Sequence, residues 1–405
     1  MSIPLSFLTG YCLILGGMYA FGSLFPFLAI IPKIIGKNIT SEYSTRPVGF
    51  PYHVEYYVDL EKYYYPILIH NYLATAIRLT ILVATDTFVT ILVQHCCVLF
   101  SVVRYRLEYI RKSIEQDKKL ALLEEDDKFY KNFTYCIQKH KDVLRFARYL
   151  DAIYTKAFFF EVGLIILAMS MSALQATSGI LNPPLVIRHA SYITAQLLHL
   201  YIVCWLGQQI IDHSDHVYTS TYRGEWYESS PKSRKLLNMI MLRSTSPCTL
   251  TVGKIMILSF PSFSAVKLDI IFFDRIHRRG LWPFHTRSRR YTIYTILMLI
   301  FGSGFIFELA GIIEIRHNFF EVIDNLPLLF FAILIISKIL CAVHTLPKIK
   351  ILLLKMQEYC LSPKSDEETK IQNLHAQHGR KLGYAYTGVC DFNSIKGYNN
   401  ILQQN

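Results

Sequence analysis

The chain has 405 residues, of which 52% are hydrophobic and 18% charged, with 27 Tyr and 26 Phe. A soluble domain of this length needs more charge to coat its surface. The net charge of +12 comes with no nucleic-acid recognition motif, so it points to basic loops beside a membrane and to no nucleic-acid partner.

Taken in chain order, the apolar residues fall into long runs. Ser2 to Pro32 carries no Asp, Glu, Lys or Arg; Leu79 to Val103 carries only Asp86; Ala157 to Ile187 only Glu161; Ala190 to Ile211 none. Tyr291 to Phe307 carries none, and Asn325 to Pro347 only Lys338. A helix crosses the bilayer with about 20 mostly apolar residues. Five of the runs reach that length, and the Tyr291 run reaches it when extended past Glu308 to Ile313. Thr249 to Val266 is a weaker seventh candidate, since it holds Lys254 and Pro261 and its insertion balance is close to zero. The expected fold is an all-α polytopic membrane bundle with six or seven transmembrane helices and a cytoplasmic N-terminus. The first run is too long for a secretory signal and lacks a basic leading region, so it is expected to span and to direct insertion.

Charge sets the orientation. With the first run leaving the cytoplasm, the inner segment 104–156 holds thirteen Lys and Arg against five in the outer segment 32–78. If 249–266 does not cross, 33 lie inside and 7 outside; if it does, the split is 19 to 21. The first arrangement obeys the positive-inside rule and the second does not. Two glycosylation sequons follow from it: Asn38 is expected outside and open to a glycan, Asn132 inside and bare. None of the nine Cys falls in the three expected external loops, so no disulfide framework is implied.

Asp86, Glu161 and Lys338 are lone charges in membrane runs. Such groups are expensive in a bilayer and are often functional; a structural hydrogen bond to a polar neighbour is the other reading, and both stay open. Asp212-His213-Ser214-Asp215-His216 has a metal-like composition with two His on one face. It lacks a third partner and suits a helix leaving the membrane. No nucleophile elbow or phosphate loop is present, so no enzyme, metal or cofactor is expected.

Three stretches carry a resemblance: "ATDTFVTILVQHCCVLFSVVRYRLEYI" from Ala84, "HKDVLRFARYLDAIYTKAFFFEVGLIILAMSMS" from His140, and the long segment from Ala195. The last is the most specific. It holds Gly207-Gln208 after a helix, then Trp226-Tyr227, Lys232 to Leu237, Pro247 and Lys254. The series resembles the insect odorant receptor family. Residues 1–266 resemble its third helix to the start of its seventh. Residues 267–405 resemble its N-terminal region with the first and second helices: "RRGLWPF" from Arg278 resembles the lead into the first, and "LLLKMQEYC" the loop before the third. The family's segments thus stand in swapped order, joined near Val266 to Asp269. Two origins fit: two neighbouring receptors fused into one chain, or a permuted receptor.

The resemblance implies an odorant-binding subunit of a heteromeric ligand-gated cation channel. It would form a heterotetramer with an obligate odorant co-receptor in the plasma membrane of sensory neurons, with a small volatile odorant as ligand. Residues 205–266 match the region that anchors subunits together, where Lys232, Arg234 and Lys235 also suit plain solvation. The pore half of the seventh helix does not follow Val266, so the resemblance implies no odour-gated current from this chain. The ligand pocket is expected in the outer half of the bundle, shaped by aromatic side chains. The candidates are Met18, Tyr19, Gly22 and Phe25 on the first run, Tyr72 and Thr80 on the second, Tyr192 and Gln196 on the fourth, and Phe330 and Phe331 on the last. Each taken singly suits a lipid-facing or packing role better than a ligand contact, and Gly22 suits close helix packing. A gustatory-type receptor shares the architecture and is the nearest alternative. A G-protein-coupled receptor is opposed by the charge pattern, and a transporter by the lack of repeats.

Overall fold

The computed structural model describes residues 50, 52–60, 62–110, 125–178, 183–224, 226–268, 287–361 and 371. Met18, Tyr19, Gly22, Phe25 and Asn38 lie outside them, as do residues 269–286, which begin at the last residue of the expected join (Val266 to Asp269).

Seven helices make up the described fold: α1 Tyr64–Glu108, α2 Glu125–Ser178, α3 Pro183–Arg223, α4 Pro231–Ser244, α5 Phe260–Leu268, α6 Arg287–Glu314 and α7 Phe319–Leu361. Among the described residues, α1, α2, α3 and α7 are each long and apolar enough to cross a membrane. With 41 to 54 residues apiece, they run roughly 60–80 Å at 1.5 Å per residue. The hydrocarbon core is about 30 Å thick. The apolar runs therefore account for part of each helix; the remainder precedes the run in α2, lies mostly before it in α1 (Tyr64 to Arg78) and follows it in α7. α4 packs against both α2 and α3.

Local chemistry explains how polar residues sit in these apolar helices. Thr75, Thr87 and Thr90 of α1 turn their hydroxyls back onto the carbonyls of Asn71, Val83 and Asp86, at 2.9, 2.8 and 2.8 Å. A hydroxyl satisfied within its own helix presents a methyl group outward and costs little in lipid. Pro231 begins α4 at a position where its missing N–H is not needed.

The weak candidate 249–266 does not form a single helix. Thr251–Val252 (β1) pairs antiparallel with Met256–Ile257 (β2). Gly253 and Lys254 both have positive φ, 61° and 63°, and Ile255 N–H donates to Val252 O at 3.0 Å, as in a type I′ turn. The hairpin is pinned to α2: Thr251 N–H donates to Asp151 Oδ1 at 2.7 Å, and Gly253 N–H to Thr155 O at 2.8 Å. Of the candidate span, only Phe260 to Val266 is helical, as the first part of α5. Gly207 also departs from its expected place. It lies within α3 rather than after a helix, and a Cβ there would stand 2.2 Å from Leu258 O. The absence of a side chain lets the segment after β2 close on α3.

The segments before and after the junction form one bundle. The main core runs along α1, α2, α3 and α7, and includes Phe301 of α6. A smaller aromatic cluster at the outer end holds Phe50, Tyr52, Tyr64, Tyr192 and Leu328. Residues 52–56 lie against α6 and the start of α7. Glu55 N–H donates to Phe307 O at 3.1 Å, Tyr56 stacks on Phe307 with ring centroids 4.0 Å apart, and His53 N–H donates to Asn325 Oδ1 at 2.8 Å. Cys96, Cys97 and Cys204 are buried free thiols, and Cys136 and Cys341 are buried too.

Candidate functional site

Three layers of charge tie the two parts of the chain together. At the outer end, Asp324 of α7 meets Arg188 and His189 of α3, with His189 Nε2 at 2.8 Å. One layer deeper, Arg78 of α1 pairs with Glu308 of α6 at 2.7 Å, with the two side chains 1% and 0% exposed. The guanidinium also lies 5.0 Å from the Tyr52 ring centre and 5.6 Å from that of Phe301, within cation–π range. Tyr52 stands before α1, and burial pushes its phenol up to about 12. It therefore stays neutral beside Arg78 at ordinary pH.

The deepest layer joins four helices. Lys338 of α7 ion-pairs with both Asp86 of α1 and Glu161 of α2. His199 of α3 places Nε2 3.1 Å from Asp86 Oδ2 and 3.0 Å from Glu161 Oε1, off the line of a straight hydrogen bond. Among the described residues, Asp86 Oδ2 and His199 Nδ1 are buried without a hydrogen-bond partner. All four side chains are buried. Asp86, Glu161 and His199 bring one ligand atom each within 4.8 Å of one another, close enough to hold a metal ion. The Lys338 ammonium contacts both carboxylates, where that ion would sit, so the group is an ion-pair network.

This network borders a cavity of about 160 Å³ between α1, α2, α3 and α7. Its other walls are mainly apolar, among them Phe88, Val89, Phe158, Ile202, Val203 and Leu206, with Thr85, Thr90 and Tyr154 adding hydroxyls. The arrangement is an oily chamber with one ionic corner. Chemically it can hold a small molecule by area burial and fix one polar group of it.

The sequence singled out Asp86, Glu161 and Lys338 one at a time, and the structure brings them to one point. His199 escaped notice because its run was screened for Asp, Glu, Lys and Arg only. Arg78 and Glu308 were missed because one lies just outside an apolar run and the other interrupts one. An interrupting charge was the available signal.

The pocket candidates lie elsewhere. Tyr192 belongs to the outer aromatic cluster, with Tyr72 packed against it. Gln196 is buried, and its Oε1 has no hydrogen-bond partner among the described residues. Phe331 is in the main core with Phe330 beside it. Thr80 is exposed on α1 and spends its hydroxyl on Ala76 O at 2.9 Å. None of these six lines the cavity, which lies about 21 Å farther along α1 than Tyr72 at 1.5 Å per residue. The His213–His216 stretch is helical within α3, where His213 Nδ1 meets Ser101 Oγ at 3.2 Å and His216 Nδ1 meets Asp212 O at 2.5 Å.

Comparison with known proteins supplies the family. The family model described as 7tm Odorant receptor matches residues 6–268. Odorant receptor 45a of Drosophila melanogaster is 24% identical over 222 residues, 54% of this chain and 55% of that protein. Odorant receptor 67a of the same species is 25% identical over 128 residues, 32% of this chain and 31% of that one. The odorant receptor coreceptor of Aedes aegypti is 20% identical over 132 residues, covering 33% and 28%. The chain spans about a third to a half of the length of these relatives. The solved structure of the insect olfactory receptor OR5 from Machilis hrabei, in complex with eugenol, overlaps 73% of this chain and 67% of that one, with a TM-score of 0.42 and 13% identity. Since the family model covers more than half of its residues, this multi-helix membrane chain belongs to the odorant receptor family.

Proposed function

We propose that the chain is an odorant-binding subunit of a heteromeric ligand-gated cation channel. It acts with the odorant co-receptor in the plasma membrane of sensory neurons. The observation that carries this reading is the family match over residues 6–268. The cavity inside the bundle supports it, because a membrane-embedded chamber lined mainly by apolar side chains suits a small volatile ligand. Residues 1–266 and 267–405 are read as family segments in swapped order. The three layers of ion pairs between α6 or α7 and α1–α3 support complementary parts of one receptor over unrelated fragments.

The test has two readouts. The purified full chain in lipid nanodiscs is titrated with a panel of volatile alcohols, esters, aldehydes and amines while tryptophan emission is followed; Trp205 is buried in α3, next to Leu206 of the cavity wall. Saturable binding is expected, and no response across the panel sinks the proposal. The same panel is applied to cells co-expressing the Aedes co-receptor. Odour-gated current there supports the channel role; binding without current leaves a ligand-binding subunit that does not gate. A panel of non-volatile sugars and bitter compounds tests the gustatory-type alternative in the same nanodiscs.

A further inference from the structure

We propose that the cavity takes small neutral carbonyl compounds, held by a hydrogen bond from the Tyr154 hydroxyl. This rests on the odorant-binding reading above and names the ligand class for that chamber. Three observations carry it. First, the chamber has no vacant seat for an ion. Lys338 pairs with both Asp86 and Glu161, and His199 Nε2 faces the same two carboxylates at 3.1 and 3.0 Å. Two bases thus stand against two acids. A charged ligand would find its counter-charges already taken, and an uncompensated charge away from water is strongly disfavoured. A neutral molecule escapes that penalty.

Second, one wall hydroxyl has a proton to give. The hydroxyl side chains bordering the cavity are Thr85, Thr90 and Tyr154. Thr85 Oγ1 donates to the carbonyls of Ile81 and Leu82 at 3.0 and 2.9 Å, and Thr90 Oγ1 to that of Asp86 at 2.8 Å. Both protons are spent within α1. Tyr154 of α2 is only 5% exposed, with its ring centre 5.8 Å from that of Phe158. Its hydroxyl has no hydrogen-bond partner among the described residues, and it keeps open surface where Asp86 Oδ2 is sealed. A buried O–H gains by meeting an acceptor. A carbonyl oxygen accepts and brings no donor that needs a second partner. Third, the size and the remaining surface match. Tyr154 and Glu161 share a face of α2, about 10 Å apart at 1.5 Å per residue, so the phenol is carried by a position well before the ionic corner. Phe88, Phe158, Val203 and Leu206 supply apolar wall for a short hydrocarbon body. The volume of about 160 Å³ is close to the dry cavity of about 150 Å³ that holds benzene in another protein, so about six heavy atoms fit.

The experiment uses the full chain in neutral-lipid nanodiscs at pH 7 and four probes of matched size: 2-pentanone, 2-methyl-1-pentene, pentylamine and butanoate. The first two share one shape and differ in C=O against C=CH2. Tryptophan emission and calorimetry give the affinities. 2-Pentanone is expected to bind about tenfold or more tighter than either ion. Equal or tighter binding of pentylamine or butanoate overturns the proposal and leaves the odorant-binding reading standing. Tyr154→Phe removes one oxygen and keeps the ring. It should weaken 2-pentanone about three- to tenfold, the ratio one neutral hydrogen bond supplies. The alkene should bind the variant as it binds the parent, and that binding reports an intact fold and chamber. Unchanged ketone affinity in Tyr154→Phe overturns the proposal, and so does an equal loss for ketone and alkene. Ala157→Leu narrows the chamber and should abolish binding of both. Undiminished ketone binding in Ala157→Leu overturns the placement. If none of the four binds but other volatiles do, the carbonyl assignment alone fails; if no volatile binds, both readings fail.

Discussion

Arg78–Glu308 and the Asp86–Glu161–His199–Lys338 network are separated by about 12 Å along α1, eight residues at 1.5 Å each. Both are buried, and both join helices from opposite sides of the junction. They differ in what surrounds them. The Arg78 pair is roofed by the Tyr52 and Phe301 rings and has neighbours packed tightly around it. The Lys338 network opens on a cavity of about 160 Å³, room for several water molecules at about 30 Å³ each. A charge pair sealed in hydrocarbon has no other partner and acts as a tie. A charge pair beside empty volume can take up water, a proton or a ligand, so its partners are exchangeable. The first is structural, and the second is where chemistry with a ligand is possible.

The largest expected effect is at the sealed pair. Arg78→Met leaves Glu308 buried and alone, and should destabilise the protein by about 3–5 kcal/mol. The measurement is the thermal melting of the purified protein, with expression level as a second readout. The double variant Arg78→Met with Glu308→Leu removes both charges and should recover most of that loss, since replacing a whole buried pair with apolar groups is near neutral. Failure of the double variant to recover shows that the guanidinium matters through its rings and not its charge.

Next comes Lys338→Met. Two carboxylates remain, but the cavity admits water, and one proton can be shared between them. The expected loss is smaller, about 1–3 kcal/mol. A loss equal to that of Arg78→Met means the chamber is dry, and the contrast between the two regions collapses. Glu161→Gln combined with Lys338→Met should restore part of the loss.

The sequence showed the membrane class, the apolar runs and the three lone charges, because composition and run length are local properties. It did not show that the charges meet. Lys338 lies 252 residues from Asp86 and 177 from Glu161, and only the packing of four helices brings them together. His199 is invisible to a count of formal charges, yet it closes the network. The 249–266 stretch was scored for average apolarity, and its two signals of a turn, Gly253 followed by Lys254 between β-branched and apolar residues, carry less weight in such a score than in the fold. The pocket candidates were placed by depth along each run. Depth alone says nothing of which side of a helix faces a void, so Thr80 fell on the exposed side and Tyr72 and Tyr192 in a packed aromatic cluster.

The smallest effects sharpen the comparison by adding atoms instead of removing charges. Gly304 sits beside the sealed pair; a Cβ there would lie 2.9 Å from the Ala74 Cβ and 3.9 Å from an Arg78 nitrogen. Gly304→Leu therefore has nowhere to put its side chain and should cost about 1–3 kcal/mol, the usual range for overpacking. Ala157 borders the cavity, so the extra carbons of Ala157→Leu enter existing space and should change stability by less than about 1 kcal/mol in either direction. Thermal melts of the two variants in the same detergent read this directly. The two substitutions add similar bulk, so a lower melting temperature for Gly304→Leu alone points to packing as the cause. If Ala157→Leu melts as low as Gly304→Leu, the chamber does not persist in the protein as it exists in the bilayer. The Lys338 network is then as sealed as the Arg78 pair, and both are ties that hold α6 and α7 to the helices that precede them.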